Sequence, residues 1–288
     1  MSEQNPYAER TPEELAALPT AFREGLCAGQ VVLVTGGAGG IGLATSILFG
    51  RLGATLVACG RDAEKLAGYE AALGRLGIPC FTRAMTVRDP AQVAALLDAV
   101  WARHGRLDVL VNCAGGQFAA PATQITPKGW HAVLETNLTG SWYTMQAAAQ
   151  RWEAHAQRGG CIVNVTAVVG RAKPGIAHTA AARAGTEALT RTLCVEWAPL
   201  GIRVNCVAVG VVASPGLQHY PPTARPSFTH NPMRRLGDVQ DVAEACVYLA
   251  SPAANFITGV ALQVDGGGHA WGDYWPLGMP DYFRIEEP

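Results

Sequence analysis

The amino-acid sequence predicts an α/β protein: a single doubly wound domain with a seven-stranded parallel sheet and helices on both faces. Three observations lead to this class. Short β-branched runs alternate with helical segments, the first run ends in a cluster of glycines, and 49% of the 288 residues are hydrophobic against 16% charged. Strands that alternate with helices form parallel sheets covered on both faces. The composition supplies a large core, and the length fits one domain.

The strand predictions follow apolar runs that end at glycine or polar residues. They cover 30–37, 55–61, 79–87, 107–116, 160–170, 201–212 and 259–268. The segments between them have helical spacing, and several begin at a capping residue, as at Asp89 and Pro90. These helices are predicted at 41–53, 62–77, 89–105, 127–157, 177–199 and 238–251, the fourth as one long helix that a bend can interrupt.

Three segments fall outside the regular alternation. Residues 1–28 are predicted as an N-terminal extension with a short helix, because Thr11, Pro12 and Glu14 form a capping-box pattern. Residues 29–268 then form the main domain, in which the proline-rich stretch 213–235 is predicted to be a lid or substrate loop. Residues 269–288 are an aromatic tail that we expect to pack on its own domain or on a neighbouring subunit; its aromatic residues are Trp271, Tyr274, Trp275, Tyr282 and Phe283.

Charge and cysteine content exclude several function classes. With 22 basic and 23 acidic residues and a net charge of −1, the chain lacks the basic surface that nucleic acids require. No apolar run reaches about 18 residues, so no membrane span is expected. The eight cysteines stand singly and the start of the sequence is polar, so we expect a reducing cytoplasm. His219 and His230 lack a third ligand at metal spacing, so we expect no metal.

The strongest motif is VTGGAGGIG at 34–42, between the first strand and the first helix of the main domain. Gly36, Gly40 and Gly42, with Ile41 between the last two, permit a tight turn that brings phosphates close to backbone N–H groups at a helix start. This context predicts a Rossmann-type dinucleotide site.

The end of the second strand selects the cofactor. An acidic residue there binds the ribose 2′-hydroxyl of NAD, whereas arginine accommodates the 2′-phosphate of NADP. Gly60 and Arg61 stand at this place, followed by Asp62. We therefore expect NADP(H) rather than NAD(H), although a solvated strand-end charge is the alternative for Arg61.

The glycine spacing resembles that of the short-chain dehydrogenase/reductase family. The resemblance continues through VNCAGG (111–116), LETNLTG (134–140), GIRVNCVAVG (201–210) and FITGVALQVDGG (256–267), and covers about 28–268. It implies a homotetramer and an active-site asparagine at Asn137. The further cofactor-binding residues that it implies are Thr86, Val87, Asn112, Ala114, Gly115, Arg183, Gly210 and Val212.

The catalytic serine, tyrosine and lysine of that family are replaced here. The alignment places Ala167, Thr179 and Arg183 at their positions. Thr179 and Arg183 lie four residues apart and share one helix face. A threonine hydroxyl ionises far less readily than a tyrosine, and arginine cannot act as a base, so ordinary alcohol dehydrogenation is disfavoured unless His178 or Tyr143 supplies the acid.

Reduction of a C=C bond conjugated to a thioester has different needs, since negative charge develops on the thioester oxygen and donors must stabilise it. GGQF at 115–118 and KGWHAVLETNLTG at 128–140 resemble the peroxisomal trans-2-enoyl-CoA and 2,4-dienoyl-CoA reductases. This resemblance implies an enoyl-CoA-like substrate that contacts Gln117, Phe118, Ala167 and Val168. Three alternatives stay open: a carbonyl or alcohol oxidoreductase, a non-redox cyclase or isomerase, and a pseudoenzyme.

Overall fold

The computed structural model describes residues 7–220 and 222–271 of the chain. Within them lies one sheet of seven parallel strands in the order β3-β2-β1-β4-β5-β6-β7. This confirms the predicted fold class. Four aromatic residues of the tail, Tyr274, Trp275, Tyr282 and Phe283, lie outside the described residues.

The elements follow the predicted order with shorter bounds. The strands are β1 Val31–Thr35, β2 Thr55–Gly60, β3 Cys80–Ala84, β4 Val109–Asn112, β5 Gly160–Ala167, β6 Ile202–Val209 and β7 Ala261–Val264. The helices are α1 Pro12–Ala17, α2 Gly40–Arg51, α3 Ala63–Arg75, α4 Pro90–His104, α5 Pro127–Leu134, α6 Gly140–Ala154, α7 Ala177–Glu196 and α8 Val239–Ala250.

Local chemistry starts the helices where the sequence predicts. Thr11 and Glu14 form the capping box of α1 in both directions. Asp62 accepts a hydrogen bond from the Lys65 N–H at 3.0 Å at the start of α3. Asp89 caps α4 in the same way, with proline as its first helical residue.

Alternation along each strand divides the core into two layers. In β1, Val32 and Val34 belong to a cluster with α2, α3 and α8, while Val31 and Leu33 belong to a cluster with α4, α6 and α7. Successive strand residues point to opposite faces, so each strand feeds both layers. The N-terminal extension joins the first layer through Leu15 of α1, which is buried.

The long helix predicted over 127–157 is interrupted by one wide turn. Between α5 and α6, residues Glu135–Thr139 form a π-helix, and the N–H of Gly140 bonds to the carbonyl of Glu135. The helix predicted over 177–199 ends earlier, at Glu196, and a short 3₁₀ turn Ala198–Leu200 follows. The π turn matters for function because such turns accommodate an extra residue and change where a side chain points.

The strand order reverses between β1 and β4, which creates a crevice at their carboxyl ends where doubly wound sheets bind ligands. The turn at 36–39 and the chain after Asn112 both leave the sheet there. Gly42 permits the close packing of this corner, because a Cβ atom on Gly42 would overlap the carbonyl oxygen of Gly36.

We predict that Gly42→Ala lowers the free energy of unfolding by about 1–3 kcal/mol, because α2 must move away from the turn to admit one methyl group. Urea unfolding measures the change. Gly68→Ala is the matched control: Gly68 lies in α3 with no atom within 4 Å of its Cβ position, so helix propensity should stabilise this variant by about 0.5–1 kcal/mol. Equal effects from both substitutions would contradict the packing role of Gly42.

Candidate active site

The glycine turn after β1 is held against the chain that follows β4. The Thr35 hydroxyl accepts hydrogen bonds from the N–H groups of Cys113 and Ala114 at 3.1 and 3.0 Å. Gly36 has φ +68°, and a Cβ there would lie 3.0 Å from the Cα of Ala114. Only glycine fits a turn with this backbone angle and this close approach.

A cleft of about 270 Å³ opens beside the turn. It brings together many of the residues predicted to bind the cofactor, namely Gly36, Arg61, Thr86, Val87, Ala114 and Gly115. It also contains residues that the sequence analysis does not single out: Gly39, Cys59, Met85, Arg88, Cys113 and Thr136. The lining combines backbone N–H groups at a helix start with two arginines, a setting suited to a ligand that carries phosphate groups.

The two arginines of the cleft differ in their freedom. Arg88 is fixed: its Nε donates to the Thr136 hydroxyl at 2.6 Å and its Nη2 to the carbonyl of Ala132 at 2.8 Å. Arg61 is exposed at the end of β2. Because the guanidinium of Arg88 is committed to α5, Arg61 remains the better candidate for an incoming phosphate.

Asn137 lies in the π turn and forms two hydrogen bonds with the segment after β4. Its Oδ1 accepts from the N–H of Gly116 at 3.0 Å, and its Nδ2 donates to the Gly116 carbonyl at 2.8 Å. Its own carbonyl accepts from the hydroxyls of Ser141 and Thr186, each at 3.2 Å. Asn137 is fully buried, so these bonds satisfy its polar groups and link α5, α6 and α7 to the site.

Arg183 extends from α7 to the same place. Its Nη1 donates to the Val165 carbonyl of β5 at 2.9 Å. A Cβ on Gly115 would collide with its Nη2 and lie 2.8 Å from the Asn137 Oδ1. The guanidinium therefore lies over Gly115 and beside Asn137. This position agrees with the prediction that Arg183 and Thr179 share the helix face that lies toward the site.

Burial sets the charge states around Arg183. Burial lowers the pKa of the Arg183 guanidinium, but arginine stays protonated at neutral pH. Burial also raises the pKa of the neighbouring Cys113 thiol to about 12, against the opposing effect of Arg183. Cys113 is therefore a neutral thiol and does not act as a nucleophile here.

Thr179 and His178 bond to each other. The Nδ1 of His178 accepts from the Thr179 N–H at 2.7 Å and lies 3.2 Å from its hydroxyl. Since Nδ1 is the acceptor, the neutral ring carries its proton on Nε2. Within the described chain this Nε2 is buried without a hydrogen-bond partner, and the ring packs edge-on against Phe118 at 4.4 Å between centroids. Burial also lowers the pKa of His178.

The predicted substrate loop reaches the site through Tyr220. The Nε2 of Gln117 donates to the Tyr220 hydroxyl. The Tyr220 ring meets Phe228 of the same loop at 5.8 Å, and Phe228 meets Tyr7 of the N-terminal extension at 6.4 Å. The loop therefore bridges from the extension to the carboxyl edge of β4. Burial raises the pKa of Tyr220, an effect that the Gln117 hydrogen bond opposes.

Several predicted residues lie near the site without lining the cleft. Asn112 is buried in a network with Asn164 and Thr144, through bonds of 2.9 and 2.7 Å. Ala167 ends β5, and the N–H of Val168 bonds to the Val209 carbonyl of β6. The others are Gly40, Ile41 and Gly42 at the start of α2, Gly210 and Val212 after β6, and Tyr143 on α6 at the edge of the second core layer. Their ligand roles stay predictions.

Four residues in or beside the site are not predicted from the sequence: Arg88, Tyr220, Glu9 and Lys65. Arg88 directly follows the predicted cofactor-binding residues Thr86 and Val87, so its position in the sequence could have indicated it. Tyr220 lies inside the predicted substrate loop, which could have indicated it in the same way. Glu9 and Lys65 carry no local signal, because they meet only when the extension folds over α2 and α3.

No group of three or more His, Cys, Asp or Glu side chains in 7–220 and 222–271 has the geometry to hold a metal ion. Among the same residues, no helix is both long and apolar enough to span a membrane.

Comparison with known proteins identifies similar sequences over most of the chain. A family model described as enoyl-(acyl carrier protein) reductase matches residues 36–269. Peroxisomal 2,4-dienoyl-CoA reductase [(3E)-enoyl-CoA-producing] of Pongo abelii is 34% identical over 263 residues, 89% of each chain. Probable 2,4-dienoyl-CoA reductase [(2E)-enoyl-CoA-producing] of Bacillus subtilis is 35% identical over 247 residues, which is 83% of this chain and 96% of that one. A 3-oxoacyl-[acyl-carrier-protein] reductase of Thermotoga maritima is 35% identical over 241 residues, 83% of this chain and 97% of that one.

Solved structures are similar as well. A citronellol catabolism dehydrogenase from Pseudomonas aeruginosa superposes with a TM-score of 0.78 at 35% identity, over 88% of this chain and 100% of that one. A gluconate 5-dehydrogenase from Burkholderia cenocepacia, in complex with NADP and tartrate, has a TM-score of 0.80 at 33% identity, over 85% and 96% of the two chains.

We predict that His178 makes stability fall in acid. Its folded pKa lies below its unfolded value of about 6.5, so the unfolded chain binds the proton first as the pH falls. The free energy of unfolding should therefore drop below about pH 6.5, and less steeply in His178→Leu. Urea unfolding at several pH values measures both slopes. Parallel curves for the two proteins would show that His178 is not buried in its neutral form.

Proposed function

The chain belongs to the short-chain dehydrogenase/reductase family, and on that premise we propose that it is an NADP(H)-dependent reductase of an activated C=C bond in an enoyl-CoA-like thioester. Membership makes it an oxidoreductase. The finer proposal concerns the cofactor, the bond that is reduced and the replacement of the usual serine, tyrosine and lysine by Ala167, Thr179 and Arg183.

One observation carries the proposal: the partly buried cation of Arg183 lies in the site without an anionic partner. Among the ion pairs of the described residues, none includes Arg183. Its surroundings are the Val165 carbonyl, Gly115, Asn137 and the neutral Cys113 thiol. A partly buried charge without a counter-ion favours a ligand that supplies one. The thioester oxygen is such a ligand when it becomes negative during reduction.

The residues around the cleft fit a nicotinamide dinucleotide. A Cβ at Gly36 would close the turn against Ala114, and one at Gly115 would displace Arg183. Gly36 and Gly115 thus keep open the space that the phosphates and the nicotinamide half need. When bound, the cofactor supplies the hydride. Arg61 favours NADP(H) over NAD(H), because guanidinium suits a phosphate better than a hydroxyl.

The chain's own residues then have two tasks. Arg183 stabilises negative charge on the thioester oxygen, and Asn137 positions Gly115 and Gly116 beneath it. Tyr220 is the proton donor that we propose for the α-carbon. Gln117 donates to the Tyr220 oxygen, so the phenolic proton remains available. Burial that raises the Tyr220 pKa keeps this proton in place at neutral pH, and the enolate carbon is a much stronger base than a phenolate.

Carbonyl reduction is the principal alternative, favoured by the similarity to the 3-oxoacyl-[acyl-carrier-protein] reductase. It needs an acid beside Arg183 in place of tyrosine. Thr179 is 2% exposed, and its hydroxyl faces the His178 imidazole, while Tyr143 lies on α6 at the core edge. Thr179 has its hydroxyl turned to His178, whereas Tyr220 presents its hydroxyl beside Gln117 at the carboxyl edge of β4, which supports C=C reduction.

Assembly and substrate handling complete the proposal. We propose a homotetramer in the cytoplasm that acts on a CoA thioester. In support of assembly, β7 is an edge strand, and Phe256 and Val260 beside it are exposed. Arg235 pairs with Asp241 at 3.0 Å, so we assign it no contact with CoA phosphate.

The deciding assay follows NADPH oxidation by the purified protein with a trans-2-enoyl-CoA, a 2,4-dienoyl-CoA and a panel of ketones and aldehydes. We expect turnover of a CoA thioester alone, and Arg183→Met should lower kcat/KM for it by about 10²–10³-fold, as removal of an oxyanion donor does. Turnover of carbonyls alone would overturn the proposal in favour of His178 or Tyr143 as acid. Product without net cofactor change would indicate a cyclase or isomerase, and binding without turnover a pseudoenzyme.

We predict that Tyr220→Phe lowers kcat by about 10²-fold with little change in KM, since it removes a proton but keeps the ring. The same substrate and steady-state kinetics over a pH series measure the effect. Tyr248→Phe is the control, because Tyr248 lies on α8 against the first core layer. An unchanged kcat and pH profile in Tyr220→Phe would mean that solvent supplies the proton.

A further inference from the structure

The N-terminal extension places a carboxylate on the glycine turn. The Oε1 of Glu9 accepts a hydrogen bond from the N–H of Gly40, the first residue of α2, at 2.8 Å. The same carboxylate holds the Lys65 ammonium of α3, at 3.2 Å from Oε1 and 3.1 Å from Oε2. An acidic side chain of the protein thus occupies a backbone donor at the helix start where the family's dinucleotide phosphates are expected.

This ion pair lies against Gly39, in a groove that adjoins the cofactor cleft. Gly39 lines the cleft together with Arg61. A Cβ on Gly39 would lie 3.0 Å from the Glu9 Oε1 and 2.6 Å from the Lys65 Nζ. The Lys65 ammonium therefore lies close to Gly39, which lines the cleft together with Arg61. Side-chain exposures of 46% for Lys65 and 33% for Glu9 leave both groups able to rearrange.

The extension is anchored on both sides of Glu9. Tyr7 packs against Phe228 of the substrate loop, and its carbonyl accepts from Gln218 at 3.1 Å. Arg10 pairs with Asp238 at the start of α8. Because its neighbours are held, the backbone of Glu9 stays in place, while its partly exposed carboxylate can rotate away from Lys65.

The electrostatics of the pair change when a phosphate arrives. A 2′-phosphate carries more negative charge than a carboxylate, and it would be repelled by Glu9 and attracted by Lys65. If the phosphate replaces Glu9 as the partner of Lys65, the repulsion by Glu9 is removed and the attraction by Lys65 is kept. A cofactor with only a 2′-hydroxyl gains nothing from this exchange.

We propose that Lys65 is a second binding residue for the cofactor's 2′-phosphate, beside Arg61, and that Glu9 is its counter-ion until the cofactor binds. The extension then lowers affinity for NADP(H) through Glu9, and α3 discriminates between the two cofactors through Lys65. This inference rests on the proposed dinucleotide site and extends it to residues outside the glycine motif.

Isothermal titration calorimetry of the full chain with NADPH and with NADH tests the inference. Lys65→Met should raise the Kd for NADPH about 10-fold, the effect of one charge-assisted hydrogen bond, and leave the Kd for NADH within about 2-fold. Glu9→Gln should lower the Kd for NADPH by about 3-fold, as expected for a partly exposed charge. The double variant should gain less from Glu9→Gln than the wild type does, because the two groups are coupled.

Glu13→Gln is the matched control. Glu13 belongs to the same extension and pairs with Arg75 at 2.7 Å, so its loss should change neither Kd. An equal effect of Lys65→Met on both cofactors would overturn the inference, as would weaker NADH binding in Glu9→Gln, which would make Glu9 the acceptor for a ribose hydroxyl. A wild type that binds neither dinucleotide would overturn the proposed function itself, and the inference with it.

Discussion

The ligand-binding edge of this sheet depends on the two hydrogen bonds between the Asn137 side chain and the backbone of Gly116. They tie the chain after β4 to the π turn between α5 and α6, and the Asn137 carbonyl ties that turn to α7 through Thr186. A regular helix would commit this carbonyl to its own ladder. In the wide turn this carbonyl accepts from the hydroxyls of Ser141 and Thr186, and both polar atoms of the buried side chain are hydrogen-bonded. Gly115, the neighbour of Gly116, thereby lies directly beneath the guanidinium of Arg183.

The positive charge of Arg183, without an anionic partner beside it, determines which chemistry the site can support. Arg183 is a partly buried cation whose protein partners are a carbonyl and neutral groups. The thiol of Cys113 stays protonated because burial raises its pKa to about 12. The site therefore offers positive charge without a base next to it. Such a site is better suited to stabilising an enolate than to removing a proton from an alcohol.

The two segments outside the regular alternation are connected to the site and to each other. Tyr220 of the loop meets Gln117, and Phe228 of the same loop meets Tyr7 of the extension. The extension in turn places Glu9 on the glycine turn. A change at the cofactor phosphates can therefore reach the substrate loop through a short chain of contacts, and both segments contribute groups to ligand binding in our proposal.

The sequence by itself determined the sheet, the order of its elements and the position of the glycine turn. These features follow from local patterns: strand periodicity, capping residues such as Asp62 and Asp89, and glycines such as Gly36 and Gly42 where backbones approach closely. The position of Arg61 after the second strand, and the family resemblance for Thr86, Val87 and Gly115, also indicated residues that line one cleft at the carboxyl edge of the sheet. Only the tertiary structure decided the π turn at 135–139 and the roles of Tyr220, Glu9 and Lys65. These depend on contacts between segments that are distant in the chain, Glu9 and Lys65 being 56 residues apart. No local pattern encodes such a distance, since it is set by how helices and loops pack once the core has formed.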